Sequence, residues 1–412
     1  MISPKEALAL VLSRVSPGPA EMVALDAAAG RVLAADVVAG IDLPPFSNSQ
    51  MDGYAVRSSD LAGAGADRPA TLRVTGLAAA GRAAVVAVAP GTAVRVMTGA
   101  PLPEGADAVV KQEDVLRDGD AIRVGVAPSP GEFVRAAGED VRAGECVLSR
   151  GRPLGAADVG LLAAVGRAIV PVSVRPRVAI LSTGDEVVAP GEPLPAGCVY
   201  NSNAWALAAA CRETGAEAVV LPIARDDREA LREAVAHATG FDVALSIGGV
   251  SVGDFDHVKE AVSLAGVEQV FWRVAQKPGK PLVFGVRDGR LFFGLPGNPV
   301  SALVCFDLYV APALRRRLGA AAIYPMLVEV EMAADVATAA GLTEFVRCTI
   351  APGRALPRAL PTASQSSGAL RSLARADALV VSTPGQGRLA AGETARAILL
   401  GASRPTSESS PF

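Results

Sequence analysis

The spacing of apolar residues changes character several times along the chain, and each change marks a different kind of structure. Ser3-Pro4-Lys5-Glu6 reads as a capping box with proline at the first helical position, so the chain is expected to open on a short helix. Val23–Asp36 mixes a short strand with a second helix, and Ile41-Asp42-Leu43-Pro44-Pro45-Phe46 is extended because two prolines forbid helix. Brief apolar runs separated by Gly and Pro come next, at Thr71–Leu77, Ala84–Val88, Ala93–Met97, Ala108–Gln112 and Ala121–Val126. That rhythm predicts a small β-rich domain over 46–149. Residues 150–176 carry one helix, Ala156–Val165, and one strand, Arg167–Val174.

From residue 177 the pattern alternates. Strand-like runs at Val178–Leu181, Ala218–Ile223, Val243–Ile247 and Val267–Val274 are interleaved with helical patterns from about Ala204 to Thr214, Arg228 to Ala238 and His257 to Leu264. A hairpin turning at Asp288-Gly289 and a helix from about Pro299 to Leu318 complete the series. Alternation of this kind predicts βαβ units around a mostly parallel sheet. Beyond Ala322 the helical spacing stops, and Leu327–Met332, Thr343–Ile350, Leu379–Val381 and Ala395–Leu400 predict a terminal β domain. The Ser/Pro-rich tail from Ser403 is expected to be disordered.

Composition narrows the function classes. A chain of 412 residues is too long for one ordinary core, so three or four domains are expected. The net charge of −3 argues against a general nucleic-acid binder, which would carry a basic surplus. No apolar run reaches the roughly 18 residues of a membrane span, and the N-terminus does not read as a signal peptide, so a cytoplasmic location is expected. The cysteines Cys146, Cys198, Cys211, Cys305 and Cys348 form no C-x-x-C pair, and His237 and His257 are the only histidines. Scattered reduced thiols fit this pattern better than a disulfide framework or a Cys/His zinc site.

Ligands of an open parallel sheet bind beyond the carboxyl ends of its strands, so the residues just past each strand matter most. Those positions carry Ser182-Thr183-Gly184-Asp185-Glu186, Arg225-Asp226-Asp227, the 248–256 loop, Lys277-Pro278-Gly279-Lys280 and Gly294-Leu295-Pro296-Gly297-Asn298-Pro299. Gly248 and Gly249 allow close backbone approach to a bound group, and Ser251 can hydrogen-bond an oxyanion, although a plain helix-entry turn has the same composition. Asn298-Pro299 reads as an N-cap followed by proline at the first helical position, a place suited either to phosphate or to simple capping. Lys277 and Lys280 flank a Pro-Gly turn on the same rim. Asp185, Glu186, Asp226, Asp254 and Asp256 are acids beside these loops, a setting that suits Mg²⁺. Each acid alone reads equally well as a helix N-terminal charge, most of all Asp226-Asp227. In the β-rich segment, Asn48-Ser49-Gln50-Met51-Asp52-Gly53-Tyr54, Met97-Thr98-Gly99-Ala100-Pro101 and Gly138-Glu139-Asp140 read from composition alone as turns.

Taken together, these motifs resemble the molybdopterin molybdenumtransferase family, the MoeA type that includes the E domain of gephyrin, in order along nearly the whole chain. The resemblance implies insertion of molybdenum from molybdate into adenylylated molybdopterin, with release of AMP and use of Mg²⁺ or Zn²⁺. It implies an extended linking and dimerisation domain (1–45 with 150–176), the β-rich domain (46–149), an α/β molybdopterin-binding domain (177–325) and a C-terminal barrel-like β domain (326–402). It further implies a homodimer whose active site joins the α/β domain of one subunit to the β-rich domain of the other. Contact with the molybdopterin adenylyltransferase is a further expectation. Carried over by position, Asp52, Thr98, Arg135 and Asp140 would act from the partner side. Glu186, Asp226, Asp256 and Lys277 would act from the α/β side, with Pro296 and Pro299 shaping the last loop. Glu186, Asp226 and Asp256 would be the metal ligands. Ser182, Thr183, Gly184, Gly248, Gly249, Ser251, Arg273, Lys280, Gly297 and Asn298 would contact substrates. Arg273 stands where some relatives carry lysine, which changes a point charge into a planar fork. Ser364-Gln365-Ser366-Ser367-Gly368 departs from the more usual Gln-Gly-Ser pattern of its loop. The alternatives are an adenylyltransferase built on the same α/β domain, or a non-enzymatic scaffold.

Overall fold

The structure is a computed structural model that describes residues 1–81, 86–248, 255–400 and 406–412, without the side chains of 255–259. At its centre lies a six-stranded sheet. Arg177–Ser182 pairs in parallel with Glu217–Val220 on one side and Val243–Ile247 on the other, and Val243–Ile247 pairs in parallel with Arg290–Leu295. Val283–Arg287 runs antiparallel to Arg290–Leu295, and Glu268–Trp272 pairs antiparallel with its outer edge. The hairpin turns where expected: Asp288 and Gly289 both have positive φ, at 49° and 75°, as a twist-matched two-residue turn requires.

Both faces of this sheet are covered, which is why Val243–Ile247 is an unbroken buried run and does not alternate. Val178 and Ile180 point into one core, with helix Ser202–Glu213 and the long C-terminal helix of the domain. Ala179 and Leu181 point into the other, with helices Arg228–Ala238 and Phe255–Leu264. The long helix runs from Pro299 to Arg317, broken at Phe306–Val310 by a π-helical turn. Pro312 lies just beyond; it has no N–H to donate, and the turn before it takes up the mismatch.

The N-terminal capping box forms, with Ser3 N–H donating to Glu6 Oε2 at 2.7 Å and Glu6 N–H to Ser3 Oγ at 3.2 Å. Helix Pro4–Ser13 then buries Ala7, Leu8, Val11 and Leu12 in the α/β core. The remainder of the linking segment is built from short pairings. Ala20–Ala24 pairs antiparallel with Ile169–Ser173, and Val37–Val38 with Cys146–Leu148, around a core that includes Leu33, Leu154 and Leu162. The helix expected within Val23–Asp36 is a single 3-10 turn, Leu25–Ala27, because its alanines and glycine offer no apolar stripe to bury.

In the β-rich domain the sheet runs Ala108–Lys111, Gly53–Val56, Thr92–Val96, Ala70–Ala78, Ala121–Val124, Val115–Asp118. Its buried clusters draw only on residues 54–134. The run expected at Ala84–Val88 lies partly outside the described residues, and 86–88 is not strand.

The C-terminal domain closes on itself. Thr343–Ala351 pairs with Arg358–Pro361 and Ala378–Ser382, Leu327–Met332 pairs with Arg358–Pro361 and Thr394–Leu399, and Ala378–Ser382 pairs with Thr394–Leu399. These five strands form a closed barrel, which leaves no long free edge. Of the expected disordered tail, residues 406–412 are instead ordered. Thr406–Ser407 pairs antiparallel with Tyr324–Pro325, and Phe412 packs against the α/β core.

Candidate active site

The carboxyl ends of the parallel strands meet around a cavity of 360 Å³ lined by Ser182, Thr183, Glu186, Asn201, Gly248 and Asn298 among others. Its floor is tied by main-chain bonds: Thr183 N–H donates to Ile247 O at 3.2 Å and Gly248 N–H to Leu295 O at 3.2 Å. Gly248 has φ 89°, and a Cβ there would press on Thr183 Oγ1 at 3.2 Å, so glycine at this position keeps the floor open. Asn201 caps helix Ser202–Glu213, its Oδ1 accepting from Ala204 N–H at 3.2 Å and from Ser182 Oγ at 3.0 Å. Asn203 Nδ2 donates to Gly297 O at 2.6 Å and fixes the opposite wall. Neither Asn201 nor Asn203 is among the residues expected from sequence, although an Asn immediately before a helical pattern is a legible cap.

The acids on this rim play different parts. Glu186 folds its carboxylate over Gly184, whose missing side chain leaves room for it; a Cβ there would lie 2.5 Å from Glu186 Oε2. Asp226 N–H lies 3.4 Å from Asp185 Oδ1, so these two loops touch. Asp227 is a helix cap, accepting from Glu229 N–H at 3.1 Å and Ala230 N–H at 2.9 Å. Gly249, Ser251, Asp254 and the side chain of Asp256 lie outside the described residues. Among the described residues, no group of three His, Cys, Asp or Glu side chains could hold a metal ion.

A second, larger depression of 680 Å³ opens on the other side of Asn298, between Lys277-Pro278-Gly279-Lys280 and the C-terminal barrel. This loop does not simply extend from a strand of the α/β sheet. Gln276–Lys277 pairs in parallel with Thr343–Glu344 of the barrel. Buried Gln276 braces the loop from beneath, donating from Nε2 to Pro278 O at 3.0 Å and accepting from the Tyr309 hydroxyl. Gly279 has φ 92°, and a Cβ on it would lie 2.5 Å from Cys305 Sγ and 2.8 Å from Gln276 Nε2. Burial pushes both the Cys305 thiol and the Tyr309 phenol up, so this brace is neutral.

One expectation for this region is corrected, the Asn298 cap, and another gains a partner. Lys277, expected to act on substrate, is also ion-paired: its Nζ lies 2.8 Å from Glu344 Oε1, and Glu344 is buried with its other oxygen accepting from Ala339 N–H at 2.8 Å. Asn298 precedes helix Pro299–Cys305 but makes no side-chain cap. Its Nδ2 crosses to Ser367 Oγ at 2.9 Å, and Val300 N–H donates to Ser367 O at 3.1 Å, because the barrel loop supplies the acceptors that a cap would have offered. Arg273 lines neither depression. It adopts φ 69°, with its guanidinium 4.0 Å above the Trp272 ring.

The Lys277–Glu344 pair gives a stability prediction. Lys277→Ala leaves a buried carboxylate without its cation, and the thermal midpoint is expected to drop by the equivalent of about 1 kcal/mol, since the lysine is half exposed. Glu344→Gln added to Lys277→Ala should restore most of that loss. Calorimetry on the two variants checks it, and equal midpoints for both would show that the pair contributes nothing.

The β-rich domain carries the other set of anticipated residues. The strap Asn48–Asp52 lies between two flanking segments. Asn48–Ser49 pairs with Val134–Arg135, and Gly99 N–H donates to Ser49 O at 2.8 Å. Asp52 is exposed and held by Thr98, whose backbone N–H and Oγ1 both donate to Oδ1, at 2.7 and 2.8 Å. Those two bonds hold its pKa below the usual carboxylate value. Thr98 and Asp52 thus stand together, and Arg135, paired across to Asn48, is exposed as they are. Asp140, also exposed, sits where the strap enters, its N–H donating to Leu43 O at 2.9 Å.

Comparison with known proteins gives a consistent result. Residues 2–166 match the MoeA N-terminal region (domain I and II), 179–316 a probable molybdopterin binding domain, and 329–400 the MoeA C-terminal region (domain IV). A Mycobacterium tuberculosis protein named molybdopterin molybdenumtransferase 2 is 43% identical over 305 residues, covering 72% of this chain and 75% of its own length. A Staphylococcus aureus molybdopterin molybdenumtransferase is 33% identical over 396 residues, covering 96% of this chain and 94% of its own. Among solved structures, the molybdopterin biosynthesis MoeA protein of Pyrococcus horikoshii OT3 superposes with a TM-score of 0.83 at 32% identity, covering 97% of this chain and all of that one.

Proposed function

Because this chain belongs to the molybdopterin molybdenumtransferase family, we propose that it is the transferase that inserts molybdenum from molybdate into adenylylated molybdopterin, releasing AMP and yielding the molybdenum cofactor. The observation that carries this reading is the pair of depressions meeting at Asn298 on the carboxyl rim of the α/β sheet. One is polar and glycine-floored; the other is bordered by two lysines. A substrate that combines a pterin dithiolene, phosphates and a separate oxyanion needs more than one such compartment. The reading as an adenylyltransferase is not favoured, since the matched N- and C-terminal regions flank the molybdopterin-binding domain.

In this reading Ser182 and Thr183 offer hydroxyls to the phosphates in the smaller cavity, and Gly184, Gly248 and Gly297 let the backbone come close. Lys277 and Lys280 draw an oxyanion into the larger one. Lys277 Nζ keeps donors for it, since an ammonium carries three and Glu344 engages one side. Pro296, Asn298 and Pro299 form the wall between. Asp226, Glu186 and Asp256 are read as the ligands of a hard divalent cation that would share phosphate oxygens and water; the loops of the first two touch, with Asp226 N–H 3.4 Å from Asp185 Oδ1. Such a cation would draw electron density from the phosphoanhydride that breaks when AMP leaves.

Asp52, Thr98 and Arg135 border a sheet whose buried clusters draw only on residues 54–134, and Asp140 adjoins Val141, which packs with Ala39 and Val165 of the linking segment. Their contribution is read as coming from a second copy of the chain, making the working form a homodimer with a shared site. Among the described residues no helix is long and apolar enough to cross a membrane, in keeping with a cytoplasmic biosynthetic enzyme that takes its substrate from the adenylyltransferase. The test is incubation of purified protein with adenylylated molybdopterin, molybdate and Mg²⁺. AMP release that depends on molybdate is expected; release at the same rate without molybdate, or none at all, removes the reading.

A further inference from the structure

The strand Thr343–Ala351 carries a second charged residue toward the rim. Arg347 is 1% exposed. Its Nη2 donates to Ser364 O at 2.9 Å and Ser366 O at 3.0 Å, and its Nε to Ser372 Oγ at 2.9 Å. Its backbone joins in: Arg347 N–H donates to Gln365 Oε1 at 3.0 Å, and Gln365 Nε2 donates back to Arg347 O at 2.9 Å. Five bonds thus converge from one residue on the segment 364–372.

The loop 364–368 is held by polar contacts: Ser364-Gln365-Ser366-Ser367-Gly368 has no apolar side chain to bury, and beside the Arg347 bonds Gln365 Nε2 donates to Thr362 Oγ1 at 3.1 Å and Ser372 Oγ to Ser364 O at 2.6 Å. Its far end meets the α/β rim. Ser367 receives Asn298 Nδ2 and Val300 N–H, Gln365, Ser366 and Ser367 border the larger depression, and Gly368 borders the smaller. Arg347 itself borders neither.

We propose that Arg347 is a positioning residue: its planar fork fixes the 364–368 loop, the loop fixes Asn298 through Ser367, and the wall between the two depressions is held in shape without Arg347 touching substrate. The proposal rests on the molybdenumtransferase reading only for its kinetic arm. A guanidinium serves here because two carbonyls and a hydroxyl must be met by donors in one plane, which an ammonium cannot do.

The test uses full-length protein and two readouts. In Arg347→Lys, hydrogen exchange at the Val300 amide should accelerate about tenfold while the barrel amide of Val330 keeps its protection. The same variant should raise KM for adenylylated molybdopterin about tenfold and change kcat less than about threefold, the loss of roughly one or two orienting bonds. Asn298→Ala should raise KM to a similar degree, and the double variant should be no worse than either, because both act through the Ser367 contact. Wild-type Val300 exchange in Arg347→Lys, or additive KM effects in the double variant, would overturn the proposal. So would loss of Val330 protection in Arg347→Lys, which would make Arg347 a general support of the barrel. Exchange is read without substrate, so a wild type that released no AMP would sink the functional reading and leave this result standing.

Discussion

Asp52→Ala is expected to keep its fold and lose molybdate-dependent AMP release by about a hundredfold or more, the scale on which positioned carboxylates act. The carboxylate is exposed, so its removal opens no cavity. What it loses is the pair of bonds from Thr98. Those bonds lower its pKa, so Asp52 carries full charge at neutral pH and keeps it into mildly acid solution. The sign is that of any depressed carboxylate: the Thr98 contact contributes fully above the ordinary Asp range and is lost as the pH falls through the lowered folded value. Thr98→Val is the companion variant. It removes the Oγ1 bond and leaves the backbone N–H bond to Asp52 in place, so its activity should fall less and its acid limb should move modestly to higher pH. Unaltered AMP release by Asp52→Ala, measured in protein with a wild-type circular dichroism spectrum, would take Asp52 out of the reaction.

Gly53→Ala should do more damage than any other single-methyl change near the site. Gly53 lies inside a strand, paired with Val96 on one side and Lys111 on the other. A Cβ there would overlap the carbonyl oxygen of Val110 and lie 3.0 Å from its carbon and 3.1 Å from Lys111 Cα. Both neighbours are backbone of a buried strand and have nowhere to go, so a loss of about 3 kcal/mol is expected. The β-rich domain should unfold at clearly lower denaturant, while the C-terminal barrel, which shares no core with it, keeps its own transition. AMP release should fall with the β-rich domain, because the adjacent residue is Asp52. An unchanged midpoint for that domain would mean the strands can separate to admit the methyl.

Gly53 also shows where the sequence was legible and where it was not. Asp-Gly in a polar stretch reads as a turn, yet the glycine here serves close strand approach, and that need is set by a partner strand more than fifty residues away. Patterns set locally were read well. Helix Arg228–Ala238 and strands Val243–Ile247 and Leu327–Met332 fall where periodicity puts them, as does the Asp288-Gly289 turn. Strand Arg358–Pro361 was missed because four residues ending in proline carry no period. At the site, the glycine floor and the rim order were visible from strand spacing. Glu344, Arg347 and Ser367 were not, since their relation to Lys277 and Asn298 exists only once the barrel docks. Arg273 was named from the family resemblance, and its setting, a left-handed backbone with the guanidinium over Trp272, was not legible in the sequence.

Helix Pro4–Ser13 has a temporal consequence. It completes the α/β core, and Val15 O accepts from Arg316 Nε across 301 residues of sequence. On a ribosome adding about 5–20 residues per second, that helix must wait roughly 15–60 s for its partner to emerge. During that interval Leu8, Val11 and Leu12 are uncovered on the nascent chain, which makes this segment a natural client for a chaperone. A fragment that starts at residue 177 inherits the matching uncovered groove and should aggregate unless a peptide of residues 1–15 is supplied in trans.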